Sequence, residues 1–371
     1  MAVIGGGPAG SAAALTLAHA GRRVVIIDAS TTSEFKIGEA LPPAARPLLR
    51  DLGVLDRFNS DRHLPSFGNQ SAWGGPTLRN TDFIRDPNGL GWHLDRLRFD
   101  TTLREAAQIS GAEVRTATHL WTAARDTTTG WRLMLRAPSG RDEVRASWLI
   151  DCTGRLSLAA RAQGARRENH DRLVGLVALF RPRPGQAPDR DSLTLIESEP
   201  HGWWYTALLP TKQRVVVYFT DSDLDTFKAA RNAEGYMEAV NRTEHVRARL
   251  ASRGYTMNSE PEITAANSAR LDHMTGAGWI AAGDAAISFD PVSSQGIFNA
   301  LYSGLKAGRA LESHLSGEPS ALELYDRHLT SIYDAYFQNR TMFYRYERRW
   351  PASTFWKRRW NPACLRPAHS A

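Results

Sequence analysis

Short apolar runs, a glycine turn and an alanine-rich stretch open the chain. Residues 2–4 are apolar, 5–10 are dominated by glycine, 11–20 carry alanine and leucine, and 24–27 are apolar again, ending at Asp28. Strand, turn, helix, strand is the order of a βαβ unit. Prolines followed by Ala45, Leu48, Leu49, Leu52 and Leu55 at helical spacing predict a helix within 38–58. The polar, glycine-rich stretch 59–88 reads as a loop or excursion. Helical periodicity returns over 95–110, and 114–151 alternates as a three-stranded meander closing in the apolar strand 146–150. Runs at 173–181, 192–197, 203–210 and 214–220 predict a separate antiparallel sheet. One or two amphipathic helices are expected over 221–253, a short buried strand at 279–283, a long helix at 293–315 and a helical end over 321–359 crowded with aromatics and arginines.

This order predicts an α/β fold: a Rossmann-type domain with an inserted antiparallel-sheet domain and a C-terminal helical segment. A length of 371 residues suits two or three such units. With 42% hydrophobic and 23% charged residues the chain is ordinary for a globular protein, and its longest apolar stretch, 173–180, is too short to cross a bilayer. No integral membrane association is expected. An apolar strand follows Met1 at once, and Cys152 and Cys364 form neither a CxxC nor a metal-finger spacing. A cytoplasmic protein without a disulfide framework or a metal site is the expectation. The formal charge of +7 comes from arginines spread along the chain rather than from a basic run, so no nucleic-acid partner is expected.

The chemistry sits in three glycine-containing motifs. Gly5, Gly7 and Gly10 form GxGxxG, completed by Pro8 and Ala9, directly between a strand and a helix, and Asp28 closes the following strand. The glycines permit a tight turn and close approach of backbone amides to a pyrophosphate, and the helix N-terminus adds partial positive charge. Asp28 can accept from both ribose hydroxyls of an adenosine. A second motif, Asp151, Thr153, Gly154 and Arg155, follows another apolar strand as DxTGR. A third, Gly283 and Asp284 in AAGDAAISFDPVSSQG, leads into a helix. Its glycine lets a cofactor chain pass, and its aspartate can bond a ribityl hydroxyl. Pro291, Gln295 and Gly296 then bound a stretch of free amides at a helix start, suited to negative charge on the N1 and C2 carbonyl edge of a reduced flavin. NAD has no use for that last feature, so FAD is the expected cofactor.

Together with Arg96, Phe99 and Asp100 in HLDRLRFDTTL, these motifs resemble the group A flavin monooxygenases of the p-hydroxybenzoate hydroxylase fold and their flavin-dependent halogenase and geranylgeranyl reductase relatives. The resemblance covers nearly the whole chain. It implies noncovalent FAD, with Arg96 near the pyrophosphate and ribose and Asp284 on the ribityl chain; a salt bridge on its own helix is the alternative for Arg96. The expected division gives 1–58, 89–170 and 268–320 to the FAD-binding domain, 59–88 and 171–267 to a substrate domain, and 321–371 to the helical segment. GEALPPAARPLLRDLG, around Gly38 and Glu39, looks like the halogenase and reductase branches, in which a glutamate lies near the flavin. Glu39 is therefore the catalytic candidate. Halogenases also carry a lysine that captures hypohalous acid, and this chain has none between Lys36 and Lys212.

The ending MFYRYERRWPASTFWKRR, with FDPVSSQGI, is similar to flavoproteins that mature quinone-cofactor enzymes by oxygenating a peptidyl tryptophan. This implies a monooxygenase that hydroxylates an electron-rich aromatic substrate through a flavin C4a-hydroperoxide. The substrate would be an aromatic small molecule or an indole within a peptide or protein. O2 is the co-substrate, and NAD(P)H or a separate flavin reductase is the electron donor, since no second GxGxxG is present. A halogenase or prenyl reductase of the same fold stays open beside it, as does a flavin-binding maturation partner that acts by docking. Trp203, Trp204 and Tyr205 are candidates for an aromatic wall over the substrate, with a place in the sheet core as the alternative. His93, His201 and His273 are expected to be structural, and Cys152 to pack rather than to tether flavin. The C-terminal aromatics and arginines fit helices packed over the FAD domain, a docking surface or a membrane-surface helix.

Overall fold

The computed structural model describes residues 1–31, 36–126 and 130–361. Cys364 and the remainder of the expected C-terminal segment lie outside the described residues.

Ala2–Ile4 is the middle of a six-stranded sheet. It runs parallel to Leu149–Asp151 on one side and Val25–Ile27 on the other, with Trp279–Ala281 and Glu113–Arg115 beyond them. Thr275–Gly276 adds an antiparallel edge. Every residue of the three middle strands is buried, as expected for parallel strands covered on both faces. Helix Pro8–His19 follows the glycine turn and packs on the long helix Gly296–Leu315. These elements share one apolar core.

The second large sheet has eight strands. Thr256–Met257, Leu173–Arg181, Arg214–Asp221, Gly202–Leu208, Thr194–Glu199, Gly68–Ala72 and Arg79–Asp82 lie in that order, and Glu262–Ala265 also pairs with Leu173–Arg181. One face meets Trp73 and the C-terminal residues Tyr344, Phe355 and Trp356; the other meets Tyr236, Val240, Val246 and Leu250 from short helices. Burial on both faces explains why 215–219 reads as an unbroken apolar run instead of an alternating one.

Several expected boundaries move. The stretch 59–88, expected as a loop or excursion with no strand assigned to it, contributes Leu64–Ser66, Gly68–Ala72 and Arg79–Asp82. Gly68–Ala72 is short and polar, so its strand character comes from pairing with neighbours and not from its own pattern. The four runs expected to form an antiparallel sheet do so, and Gly68–Ala72 joins them parallel to Thr194–Glu199, which makes the whole sheet mixed. Region 221–253 forms three helices, Asp225–Ala229, Ala233–Asn241 and His245–Ser252. The breaks are capped: the Asn232 side chain accepts from the Gly235 amide, and buried Glu197 accepts from the amides of Glu244, His245 and Val246 at 2.7–3.0 Å. Residues 113–115 belong to the parallel sheet, leaving His119–Asp126, Gly130–Ala137 and Gly140–Ala146 as the meander. The helical end divides into Ala321–Tyr346 and Thr354–Trp360. Among the described residues no helix is long and apolar enough to cross a membrane.

Candidate functional site

The glycine turn has little freedom to be anything else. Gly5 has φ +104°, and a Cβ there would collide with the carbonyl oxygen of Cys152; a Cβ at Gly10 would collide with that of Gly5. At Gly7, by contrast, a Cβ would meet nothing within 4 Å. Gly7 is the N-cap of Pro8–His19, a helix with Pro8 in its first turn, no side-chain cap and no acidic residue there. The amides of that turn therefore face open space, where an anion can take the missing partners. Asp28, 7% exposed, lies across the turn, and its carboxylate accepts from the Ser30 amide at 3.1 Å and the Ser30 hydroxyl at 2.8 Å. Arg104 approaches Asp28 at 3.4 Å and the Gly6 carbonyl at 3.3 Å. This buried arginine was not anticipated; the only sign of it was a charge on the inward face of an amphipathic helix.

From the turn a cleft of about 440 Å³ extends to the eight-stranded sheet. Gly7, Pro8, Ala9, Glu39, Arg96, Gly154, Asp284, Pro291 and Gly296 all line it, although they come from five separate stretches of sequence. Tyr205, Val217 and Phe219 of the sheet, with Thr264, Ala265 and Ala266, form the facing wall. Gly5 and Gly10 shape the turn behind it. Asp151 is fully buried: one carboxylate oxygen accepts from the amide and hydroxyl of Thr153, the other from the Ala160 amide, so it organises the DxTGR turn. Gly283 donates to the Ser303 hydroxyl and joins the sheet to the long helix, while Gln295 is exposed beside the loop. Asp284 faces Arg155 at 3.4 Å. Arg96 makes the salt bridge on its own helix, to Asp100 at 3.2 Å, and also donates to the carbonyls of Ile37 and Gly38 at 2.7 and 2.9 Å. The salt bridge expected as the alternative for Arg96 is present, and the side chain also lines the cleft.

The expected wall of three aromatics is reduced to one. Alternation along Gly202–Leu208 sends Trp204 to the far face, where it stacks on Tyr218 at 4.6 Å between ring centroids. Trp203 shares the face of Tyr205 but lies two residues along, stacked on Phe219 at 4.1 Å and donating to the Tyr344 hydroxyl. Both tryptophans are fully buried and neither lines the cleft. Tyr205 does, and its hydroxyl donates to the Glu39 carboxylate. Glu39 is 2% exposed. Burial pushes its carboxyl above the usual glutamate range, against the opposing effects of the Tyr205 hydrogen bond and the Arg96 charge. Burial likewise raises the Tyr205 phenol far above its ordinary value. His93 sits behind this pair, contacting the Leu208 carbonyl and the Thr194 hydroxyl, and burial lowers its pKa to about 4. It is a neutral, fully partnered ring of the interior. The Cys152 thiol lines the cleft, with its pKa raised by burial. Among the described residues no group of His, Cys, Asp and Glu could hold a metal ion.

The residues present fit FAD on the observation at Gly7: a helix start without a side-chain cap, beside which a Cβ would meet nothing within 4 Å, opens into a cleft lined by the Asp284 carboxylate and the helix start at Gly296. Known proteins agree with the geometry. Residues 1–339 match the family described as the FAD binding domain. A protein of Marinomonas mediterranea named as an FAD-dependent oxidoreductase, LodB, is 31% identical over 96% of this chain and 95% of its own. The solved structure of the myxobacterial chondrochloren halogenase CndH superposes with a TM-score of 0.86 at 25% identity, covering 96% of this chain and 85% of that one. The peptidyl tryptophan dihydroxylase QhpG has the same fold, with a TM-score of 0.79 at 24% identity over 97% and 78% of the two chains. The chain belongs to the FAD-binding domain family and is an FAD-dependent oxidoreductase of the monooxygenase and halogenase superfamily.

Proposed function

We propose that this protein is a monooxygenase that hydroxylates an electron-rich aromatic ring, an indole carried on a polypeptide being the best fit. The observation that carries the proposal is the sheet-side wall of the cleft. It combines a buried carboxyl, Glu39, bonded to a phenol, Tyr205, with the apolar surfaces of Val217 and Phe219, and none of the described residues lining it is a lysine. A flat apolar ring matches such a wall, and a ring N–H matches the carboxylate. Halogenation, the activity named for CndH, draws on an amine to capture hypohalous acid, and Lys36, the lysine nearest in sequence to Glu39, is engaged with Asp100 at 3.2 Å. QhpG, named for dihydroxylation of a peptidyl tryptophan, shares the fold and offers the precedent for the substrate class.

In this reading the backbone amides of Gly7 and Ala9 hold the pyrophosphate, Pro8 between them having none to offer, Asp28 holds the ribose and Asp284 the ribityl chain, and the amides around Gly296 face the pyrimidine edge of the ring. FAD, when bound, supplies the redox chemistry with O2, after reduction by NAD(P)H or by a separate flavin reductase. The protein's part is positional. Val217, Phe219, Ile37 and Ala266 keep water from the ring, and Tyr205 fixes the orientation of Glu39. Glu39, with its proton affinity raised, holds or accepts a proton at its carboxylate oxygens as the ring rearomatises. A polypeptide substrate is supported by the surroundings of the cleft. Leu97, Leu156 and Ile263 are 41%, 59% and 50% exposed and each adjoins a cleft-lining residue in sequence.

The test is mass spectrometry of free tryptophan and of tryptophan-containing peptides after incubation with the FAD-loaded protein, a flavin reductase, NADH and O2, with and without chloride or bromide. A gain of one or two oxygens is expected, on peptide in preference to free tryptophan. A halide-dependent mass gain would establish halogenation instead. A stable complex with a peptide and no change in mass would leave a maturation partner that acts by docking.

A further inference from the structure

We propose that Arg340, on the C-terminal helix and far in sequence from every cofactor motif, is a positioning residue of the flavin site. It would set the separation between the two walls of the cleft. The inference rests on the cofactor placement given above.

Arg340 is 3% exposed in the helix Ala321–Tyr346. Its Nε donates to Asp290 Oδ2 at 2.9 Å and its Nη2 donates to Asp171 Oδ2 at 2.9 Å. Each carboxylate anchors a different wall. Asp290 is fully buried, and its Oδ1 accepts from the Val292 amide at 3.0 Å, so it caps the turn Pro291–Ser293 that leads to Gly296 on the cofactor side. The Asp290 amide donates to the Tyr336 hydroxyl at 2.6 Å, and the Tyr344 hydroxyl donates to Asp290 Oδ2 at 2.8 Å. Both tyrosines belong to the same helix as Arg340. Asp171 accepts from the Leu173 amide at 3.0 Å, at the root of the sheet strand Leu173–Arg181, and from the Ser268 amide at 3.2 Å, two residues beyond cleft-lining Ala266.

One planar guanidinium therefore joins the flavin-edge loop to the foot of the facing wall inside the apolar interior. Its fork geometry lets it hold both carboxylates at once, which the single point charge of a lysine does less well. Two buried carboxylates sharing one cation also leave negative charge near the loop whose amides face the flavin. Weakening the brace should then loosen the loop and expose a reduced, anionic ring to that charge. The C-terminal helix becomes part of the cofactor site by this route and is more than a cover over it.

The test compares Arg340→Lys and Arg340→Met with the unchanged protein. Two readouts apply: the affinity for FAD, and the midpoint potential of the FAD-loaded protein. Arg340→Lys is expected to fold, to bind FAD roughly tenfold more weakly and to show a lowered midpoint potential, with Arg340→Met shifted further in the same direction. A role in folding alone would lower the melting temperature while leaving affinity and potential unchanged in the folded fraction, and that result overturns the proposal. If Arg340→Met does not fold, Arg340→Lys decides the matter. Gly7→Val separates the two layers of inference. Its side chain enters open space at ordinary backbone angles, so it should fold and lose FAD. If it binds FAD normally, the cofactor placement itself is wrong, whatever Arg340 does.

Discussion

The two walls of the cleft are made of different material. The side proposed to hold the cofactor is mostly backbone: the glycine turn, the start of Pro8–His19, and the loop from Pro291 to Gly296. The sheet side is mostly side chain: Tyr205, Val217, Phe219 and the carboxyl of Glu39 that Tyr205 orients. Backbone amides bind phosphate and spread negative charge through geometry that any matching chain can reproduce. Side chains on a sheet decide which ring enters and where a proton can go, and each can change without disturbing its neighbours' backbone. One wall therefore binds through main-chain geometry and the other selects through its side chains.

The most severe test of that contrast is Gly10→Val. The added side chain would run into the Gly5 carbonyl, which is main chain and cannot step aside. A loss of about 3–5 kcal/mol, or failure to fold, is expected from overpacking at such a site. Denaturant unfolding together with the flavin content of the purified protein measures it. A stable, FAD-loaded Gly10→Val variant would show that the turn tolerates a shape the contrast forbids.

Glu39→Gln tests the other wall. It keeps the shape of a buried residue and the partnership with Tyr205 while removing the titrating group. Product formation should fall by about 10²–10⁴-fold, the usual contribution of a positioned acid or base, with FAD content unchanged. Stability should respond in a definite sense. The folded-state pKa of Glu39 is raised by burial, so its contribution is fully present below the ordinary glutamate range and is lost as pH rises through the raised value. The unchanged protein should lose stability over that window, and Glu39→Gln should flatten that part of the curve. Parallel unfolding curves for the two proteins would mean that Glu39 is not held protonated by its surroundings.

The same contrast explains what could be read from the sequence. Gly5, Gly7, Gly10 and Asp28 act through local spacing, so the parallel-sheet opening and its turn are visible in the first 28 residues. Glu39 was legible through its resemblance to known proteins. The strands of the facing sheet were legible as runs, but which of their side chains face the cleft was not, because that depends on pairing between distant strands. The run 203–205 announces three aromatics in a strand but not which of them faces the cleft; strand phase and the Trp203 contact with Phe219 decide that. Strand Gly68–Ala72 was hidden for a related reason, since a polar pentapeptide becomes a strand only beside Thr194–Glu199. Arg340 had no signal apart from a charge amid aromatics, and its partners lie 50 and 169 residues away.

Asp28→Asn probes the boundary between the two kinds of wall, a single side chain serving a backbone site. Charge-assisted hydrogen bonds to ribose contribute about 1.5–3 kcal/mol, so FAD affinity should drop by about 10- to 150-fold without loss of the fold. Ser30 and Arg104 hold the residue in place and would still have an amide oxygen to meet. An unchanged affinity would remove Asp28 from the cofactor site and leave it as the partner of Arg104.

The smallest expected effect falls on Trp204, and it discriminates well for that reason. Trp204 adjoins Tyr205 and belongs to the same strand, yet its ring stacks on Tyr218 and lies against Tyr236 on the face away from the cleft. Its indole N–H is buried without a hydrogen-bond partner, an arrangement that costs stability in itself. Trp204→Phe removes some buried apolar area but also removes that unpaired donor, so the two effects oppose each other. Stability should change by no more than about 1–2 kcal/mol, and FAD affinity and turnover should not change at all. Trp203→Phe is the matched comparison, because Trp203 backs the cleft-lining ring of Phe219. It should raise KM for the aromatic substrate at similar kcat. If Trp204→Phe raises KM as much as Trp203→Phe does, strand alternation no longer separates a recognition face from a packing face, and the sheet has to be treated as one mechanical unit.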